Sequence, residues 1–335
     1  MIKLQRLSTD PILRPRPDLQ WERGAVFNAG VIEKDGCIHM FYRAVDHEPG
    51  GKHGQCKIYR TSVGYAVSAD GLNFKRADTP LIPYGLLGDR HAAEDCRIVE
   101  LDGLYYLTYC LNNRNTGCPS PGYSVSPDLR HWEHRGELVP FAEFGFNKNA
   151  TLFPERIGGR YALFHRPEAS AFRHLPLKQF SWRTWSRCDD MAEDQRPGLT
   201  LSYSHDLRHW EDTRVILRPR EGNWDNHKVG PGAPPMRTPA GWLNVYHAVD
   251  ALHVYRLGLA LHDLRDPSIV LKRQDSCILE PELDWEIEGD VPNVVFTCGA
   301  LLRGTELTVY YAGADTCIGI ARADVAAFLN HGGES

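Results

Sequence analysis

Apolar and polar positions alternate along this chain in short runs broken by turns, which is the period-two signature of strands with one buried face. One such run recurs five times. The clearest copies are GYAVSADGLNF (Gly64 to Phe74), GYSVSPDLRHW (Gly122 to Trp132) and LTLSYSHDLRHW (Leu199 to Trp210). Weaker copies are LGLALHDLRDP (Leu257 to Pro267) and IGIARADVAAF (Ile318 to Phe328). Their aspartates, Asp70, Asp128, Asp206, Asp263 and Asp324, are spaced by 58, 78, 57 and 61 residues. Each copy reads as a strand ending in an Asp-containing turn closed by an aromatic or apolar residue.

Upstream of each copy lies an aromatic-rich run: CIHMFYRAV, LYYLTYCLNN, RYALFHRPE, GWLNVYHAVD and ELTVYYAGAD. Turns precede these runs, and EKDG, ELDG and TPAG suit tight hairpins. A further strand precedes each turn, read as NAGVI, DCRIVEL, NATLFPE, GAPPM and NVVFTCG. A period near sixty suits a four-stranded blade with loops. The prediction is an all-β fold, a five-bladed β-propeller forming one domain over residues 1–335. Helix signals are confined to the tail from Asp324 to Leu329 and to part of an insert at about 168–198, which lengthens the third unit. That insert is either a lid or subunit contact, compatible with a homo-oligomer, or a decorative excursion.

Composition narrows the partners. The chain has 335 residues, is 42% hydrophobic and carries a net charge of −5. Mild acidity argues against nucleic acid or an anionic membrane as the main partner. No apolar run is long enough for a membrane span. Nine cysteines are dispersed without a CxxC pair, which points to free thiols and a cytoplasmic location. The pairs in HWEH (His131 to His134) and HDLRH (His205 to His209) fall on or after turns and lack an acidic third ligand, so no metal is expected.

Comparing the units with one another exposes candidate chemistry. Asn28, Asp95, Asn149 and Asn293 align at the start of the first strands, which line the channel of a propeller. Three are amides suited to sugar hydroxyls; Asp95 alone can carry a proton, and Glu94 and Arg97 flank it. At the end of the second strands, Arg43, Cys110, Arg166, His247 and Tyr311 align. Lys148 and Lys228 belong to the same mouth. Basic groups gathered at one opening of an acidic protein form an anion site for phosphate or carboxylate. The competing reading pairs each with a carboxylate such as Asp46, Glu155 or Asp250. The five repeat aspartates read as turn formers, and Phe74, Trp132 and Trp210, which close those turns, as blade packing.

FNAGVI with FYRAV, EDCRI with LDGLYYLTY, NKNATLFPERIGGRYALFHRP, HKVGPGAPP with GWLNVYHAV, YRLGLALHDLRDP, and NVVFTCG with YYAGAD follow one another in this order. Together they resemble glycoside hydrolase family 130, the β-mannoside phosphorylases and their hydrolytic relatives, over roughly residues 10 to 325. The resemblance implies a five-bladed propeller and inverting phosphorolysis of a β-1,2- or β-1,4-linked manno-oligosaccharide to α-mannose 1-phosphate. Inorganic phosphate is then the co-substrate and no cofactor is needed. It implies Asp95 as the proton donor, and Asn28, Arg43, Lys228, Phe296 and Asp315 around the mannosyl unit, with Glu94 beside them. It implies Lys148, Arg166 and Tyr255 at the phosphate, with His247 close by. Ala29 and Cys96 stand where the family usually has Pro, and Asn149 where it usually has Asp. Two other readings stay open: an inverting β-mannosidase with Glu94, Asp250, Asp290 or Asp315 as base, and a non-catalytic sugar-binding propeller. The Asp turns also resemble the Asp boxes of sialidases.

Overall fold

The computed structural model describes residues 1–47, 60–87, 91–113, 118–168 and 196–330. The expected insert at 168–198 therefore lies almost wholly outside the described residues. The described chain builds five small antiparallel sheets. The N-terminal strand β1 (Gln5–Arg6) stands apart in sequence from its sheet. The first blade holds β2 (Ala25–Lys34), β3 (Cys37–Asp46), β4 (Arg60–Ser68) and β5 (Lys75–Arg76). The second holds β6 (His91–Leu101), β7 (Leu104–Asn113), β8 (Cys118–Ser126) and β9 (Glu133–Glu137). The third holds β10 (Asn147–Leu152), β11 (Tyr161–Pro167), β12 (Leu199–Ser204) and β13 (Glu211–Leu217). The fourth holds β14 (Lys228–Pro231), β15 (Met236–Thr238), β16 (Gly241–Val249), β17 (Tyr255–His262) and β18 (Val270–Arg273). The fifth holds β19 (Val295–Arg303), β20 (Glu306–Gly313) and β21 (Cys317–Asp324).

The predicted propeller is present, with two adjustments. β1 pairs antiparallel with β21 and supplies the outer strand of the fifth blade, so the ring closes through its N-terminus. The strand read as GAPPM is instead a break: Gly232 to Pro235 separates β14 from β15, both paired to β16. Proline contributes no N–H to a ladder. The hairpins read as EKDG and ELDG place Asp35 and Gly36, and Asp102 and Gly103, at positive φ, as two-residue primed turns require. The tail helix spans Ala326–Leu329. Among the described residues, no helix is long and apolar enough to cross a membrane.

Each of the five largest apolar clusters is shared by two neighbouring blades; this is why the sheets ring an axis instead of folding separately. The repeat aspartates are turn formers, as expected. Asp70 accepts from the backbone N–H of Leu72 and Asn73, Asp128 from Arg130 and His131, Asp206 from Arg208 and His209. Asp263 and Asp324 accept in the same way. The aromatics that close these turns lean on the preceding blade. Phe74 meets Tyr310 with ring centroids 5.9 Å apart, Trp132 meets Phe41 at 5.6 Å, and the Trp210 indole donates to the Leu138 carbonyl at 2.7 Å. His131 and His209 bond to Asp128 and Asp206 at 2.7 and 2.8 Å, so these rings brace turns.

A second repeat emerges only in three dimensions. Trp21–Glu22, Trp224–Asp225 and Trp285–Glu286 precede blades one, four and five. In each, the indole stacks on a buried tyrosine of the second strand: Tyr42, Tyr246 and Tyr311 at 6.3, 6.0 and 5.7 Å. The adjoining carboxylate accepts from that tyrosine hydroxyl at 2.7, 3.3 and 2.7 Å. Arginines complete each bolt: Arg16 and Arg76 on Glu22, Arg220 and Arg273 on Asp225, Arg6 on Glu286. Buried carboxylates are tolerated because they are paired and hydrogen-bonded. Opposite each tyrosine stands a glycine, Gly64, Gly258 or Gly319, and a side chain there would meet the ring. In the second and third blades Tyr109 bonds to Ser124, and His165 to Asn147 and Ser202.

Candidate active site

The channel face is built from bulges. The ladder slips between Phe27 and Gly30, between Glu94 and Arg97, and between Lys148 and Thr151. Asn28, Asp95 and Asn149 sit in these bulges at φ of 49°, 57° and 59°. Left-handed backbone favours Asn and Asp among side-chain-bearing residues. The residue type is thus dictated first by the backbone and then used at the mouth, so the aligned series of three is a real structural equivalence.

Asn293 does not belong to that series. It lies before β19, and its carbonyl accepts the Tyr255 N–H. Phe296 pairs with Ala312 as Phe27 pairs with Arg43, which makes Thr297 the equivalent of Asn28. The same register replaces Tyr311 by Ala312 at the second-strand position. The other four positions hold: Arg43, Cys110, Arg166 and His247 pair with Phe27, Glu94, Lys148 and Gly230.

Asp95 is the hub. Its Oδ1 accepts from the Asn28 amide at 2.7 Å and from Arg43 Nη1 at 3.3 Å. Arg43 lies over the Phe27 ring and its Nη2 pairs with Glu94 at 3.1 Å, while Thr61 donates to the same Glu94 oxygen at 3.4 Å. Burial alone raises the Asp95 carboxyl, but Arg43, the Asn28 amide, Lys148 and Arg97 outweigh it and hold it below the usual range. Asp95 is therefore ionised in the free protein. Asp315 behaves oppositely. Burial lifts it to about 7; Arg43 opposes the rise, while Asp95, Asp290 and Glu94 add to it. The carboxyl that retains a proton near neutrality is thus Asp315.

The basic side centres on Arg166. Its Nη1 donates to His247 Nε2 at 3.2 Å and its Nη2 to Glu168 Oε1 at 2.7 Å. His247 Nδ1 donates to the Pro231 carbonyl at 3.0 Å. Burial, together with Arg166, Arg97 and Lys228, keeps this imidazole neutral. With one N–H given to Pro231 and Nε2 accepting from Arg166, His247 has no donor for an anion. The sequence reading placed His247 with the phosphate-binding groups; here both of its ring nitrogens are engaged, Nε2 by Arg166 and Nδ1 by Pro231. Lys148 lies beside Arg166 in the ladder and acts electrostatically on Asp95, as Lys228 does on His247. Phe296 lies tilted against the His247 ring with centroids 4.5 Å apart, and Tyr255 packs on the cluster that contains Phe296.

The mouth differs from a single carboxylate ringed by cations, since Glu94, Asp95, Glu168 and Asp315 all reach it. The proposed partners Asp46, Glu155 and Asp250 are engaged elsewhere, by Arg23, Arg237 and Arg256. Asp250 also accepts from the Leu252 and Val254 N–H groups, which orders its loop. Arg97 and Glu168 were not singled out by sequence reasoning for their roles. The signal for Arg97 was its place two residues after Asp95. No group of three or more His, Cys, Asp and Glu residues suited to a metal occurs among the described residues.

Comparison with known proteins bears on this arrangement. The profile of glycoside hydrolase family 130, described as beta-1,4-mannooligosaccharide phosphorylase, matches residues 11–332. A 1,2-beta-oligomannan phosphorylase of Thermoanaerobacter sp. (strain X514) is 41% identical over 322 residues, covering 96% of this chain and 97% of the relative. A beta-1,2-mannobiose phosphorylase of the same strain is 39% identical, with 96% and 97% covered. The solved beta-1,2-mannobiose phosphorylase from Listeria innocua, in complex with beta-1,2-mannobiose, superposes with a TM-score of 0.79 at 25% identity, covering 98% of each chain.

Proposed function

The chain belongs to glycoside hydrolase family 130, and from that premise we propose that it performs inverting phosphorolysis of a β-mannoside, releasing α-mannose 1-phosphate and a shortened sugar. The linkage we assign is β-1,2, because all three relatives named above carry that linkage in their names. One observation carries the reaction class: a buried arginine, Arg166, held on both sides by Glu168 and His247, with Lys148 at its side and Asp95 within the same field.

Phosphate is already a nucleophilic anion, so the protein needs a cationic seat for it and one group that moves a proton. Arg166, Lys148 and Lys228 form the seat, and Tyr255 borders it. Asn28, Arg43, Lys228, Phe296, Asp315 and Glu94 surround the mannosyl unit. Asp95, ionised when free, is the base of the synthetic direction as it stands. In the phosphorolytic direction it delivers a proton to the leaving oxygen. The step balances without an outside proton: hydrogen phosphate brings one, its oxygen bonds to the anomeric carbon, the glycosidic C–O bond breaks, and the departing oxygen takes one. A bound phosphate anion also weakens the cationic hold on the Asp95 carboxylate and favours its protonation. No cofactor enters.

A hydrolytic reading is favoured by one feature, the Asp315 carboxyl near 7, which is able to take a proton from water. Product analysis separates the two. With β-1,2-mannobiose, mannose 1-phosphate should form only when phosphate is present. Asp95→Asn should lower kcat about 10²–10⁴-fold with an unchanged melting curve. Free mannose released at the same rate without phosphate would establish the hydrolase instead.

A further inference from the structure

Arg97 leaves the bulge of the second blade and reaches the fourth, which is not its neighbour in the ring. Its Nε donates to the Gly232 carbonyl at 2.6 Å, its Nη2 to the Pro231 carbonyl at 3.1 Å, and its Nη1 back to the Asp95 carbonyl at 2.9 Å. It is 2% exposed. The Pro231 carbonyl, with two lone pairs, also accepts from His247 Nδ1 at 3.0 Å, and His247 Nε2 accepts from Arg166 at 3.2 Å. An unbroken chain of contacts thus runs from the backbone of Asp95 to the guanidinium of Arg166.

We propose that Arg97 is a positioning residue that fixes Asp95 relative to the phosphate seat through the Pro231 carbonyl and His247. The inference rests on the phosphorolytic reading and adds the means by which its two halves are kept in register. Three features favour it over a plain tie between blades. All three acceptors are carbonyls, one of them that of Asp95, whose own carboxylate is the acid this buried charge acts on. The charge acts on both Asp95 and His247. The planar fork serves acceptors on two blades at once, which the single ammonium of lysine does not reproduce.

The test is a double-mutant cycle of Arg97→Lys and His247→Asn, read as kcat and as separate KM values for phosphate and β-1,2-mannobiose, with melting curves. Wild-type phosphate dependence is measured first, which separates failure of the functional reading from failure of this one. Arg97→Lys should lower kcat about 100-fold, as for a misplacement near 1 Å. It should raise the phosphate KM and leave the mannobiose KM within about threefold. The double variant should be no slower than the worse single, because both cut one chain. Single effects that multiply in the double variant, or equal changes in both KM values, would overturn the proposal. If Arg97→Lys does not fold, Arg97→Gln takes its place in the cycle: a lowered kcat with a normal mannobiose KM upholds the chain, and a wild-type kcat ends it.

Discussion

Asp95 and Asp315 share one mouth, and their proton affinities are pushed in opposite directions for physical reasons. Asp95 accepts from an amide and a guanidinium, whereas burial and neighbouring carboxylates dominate at Asp315. Between the ordinary carboxylate range and about 7, the folded protein keeps a proton on Asp315 that the unfolded chain has lost. Folding stability from this group therefore falls as pH rises through that window. Asp315→Asn removes the dependence: its melting temperature relative to wild type should rise between pH 5 and pH 8, and a constant difference would refute the assignment. Sequence alone brought Asp95 forward because it breaks an Asn series. It misaligned Asn293, an Asn two residues ahead of β19 that is also left-handed, at φ 59°. The true equivalent, Thr297, bonds within its own bulge to Gly299. His247 was legible as a residue of the mouth, but not its tautomer, which depends on the Pro231 carbonyl on a different strand.

At the scale of elements, strand alternation, hairpin glycines and Asp turns were legible because each is a local code. The tryptophan–carboxylate bolts were not, since the arginine partners lie between 5 and 280 residues away from the acid. The glycine facing each tyrosine keeps the ring flat against its neighbours. At Gly258 an added Cβ would come within 2.2 Å of the Tyr246 ring. Gly258→Ala should push Tyr246 off Asp225 and cost about 1–3 kcal/mol, measured by denaturant unfolding. Gly222→Ala, at a turn with nothing near its Cβ but a φ of 67°, gives a comparison in which backbone strain is the only cost. Equal Tm and unchanged tyrosine burial in Gly258→Ala would show that the bolt has room to spare.

Over the whole molecule, a five-unit repeat was visible in the sequence, but closure was not, because β1 joins β21 from the far end of the chain. Arg6 carries that closure: it pairs with the fully buried Glu286 at 2.7 Å and donates to the Glu280 carbonyl at 2.6 Å. Arg6→Ala leaves the buried Glu286 with Tyr311 and backbone N–H donors but without its arginine, and should cost about 2–4 kcal/mol, with early loss of protection in β21 by hydrogen exchange. Uniform loss across all blades would mean that closure is not the weak seam. The ring also explains the site, for it brings residues from different blades to one mouth and so sets Arg166 beside Asp95's field. The most direct test of that claim is the steady-state comparison of Arg166→Ala with wild type under saturating β-1,2-mannobiose and then under saturating phosphate. The phosphate KM should rise at least about tenfold, the loss expected of one charge-assisted contact, while the mannobiose KM stays close to wild type. Equal changes in both constants, or an unchanged phosphate KM, would contradict the account.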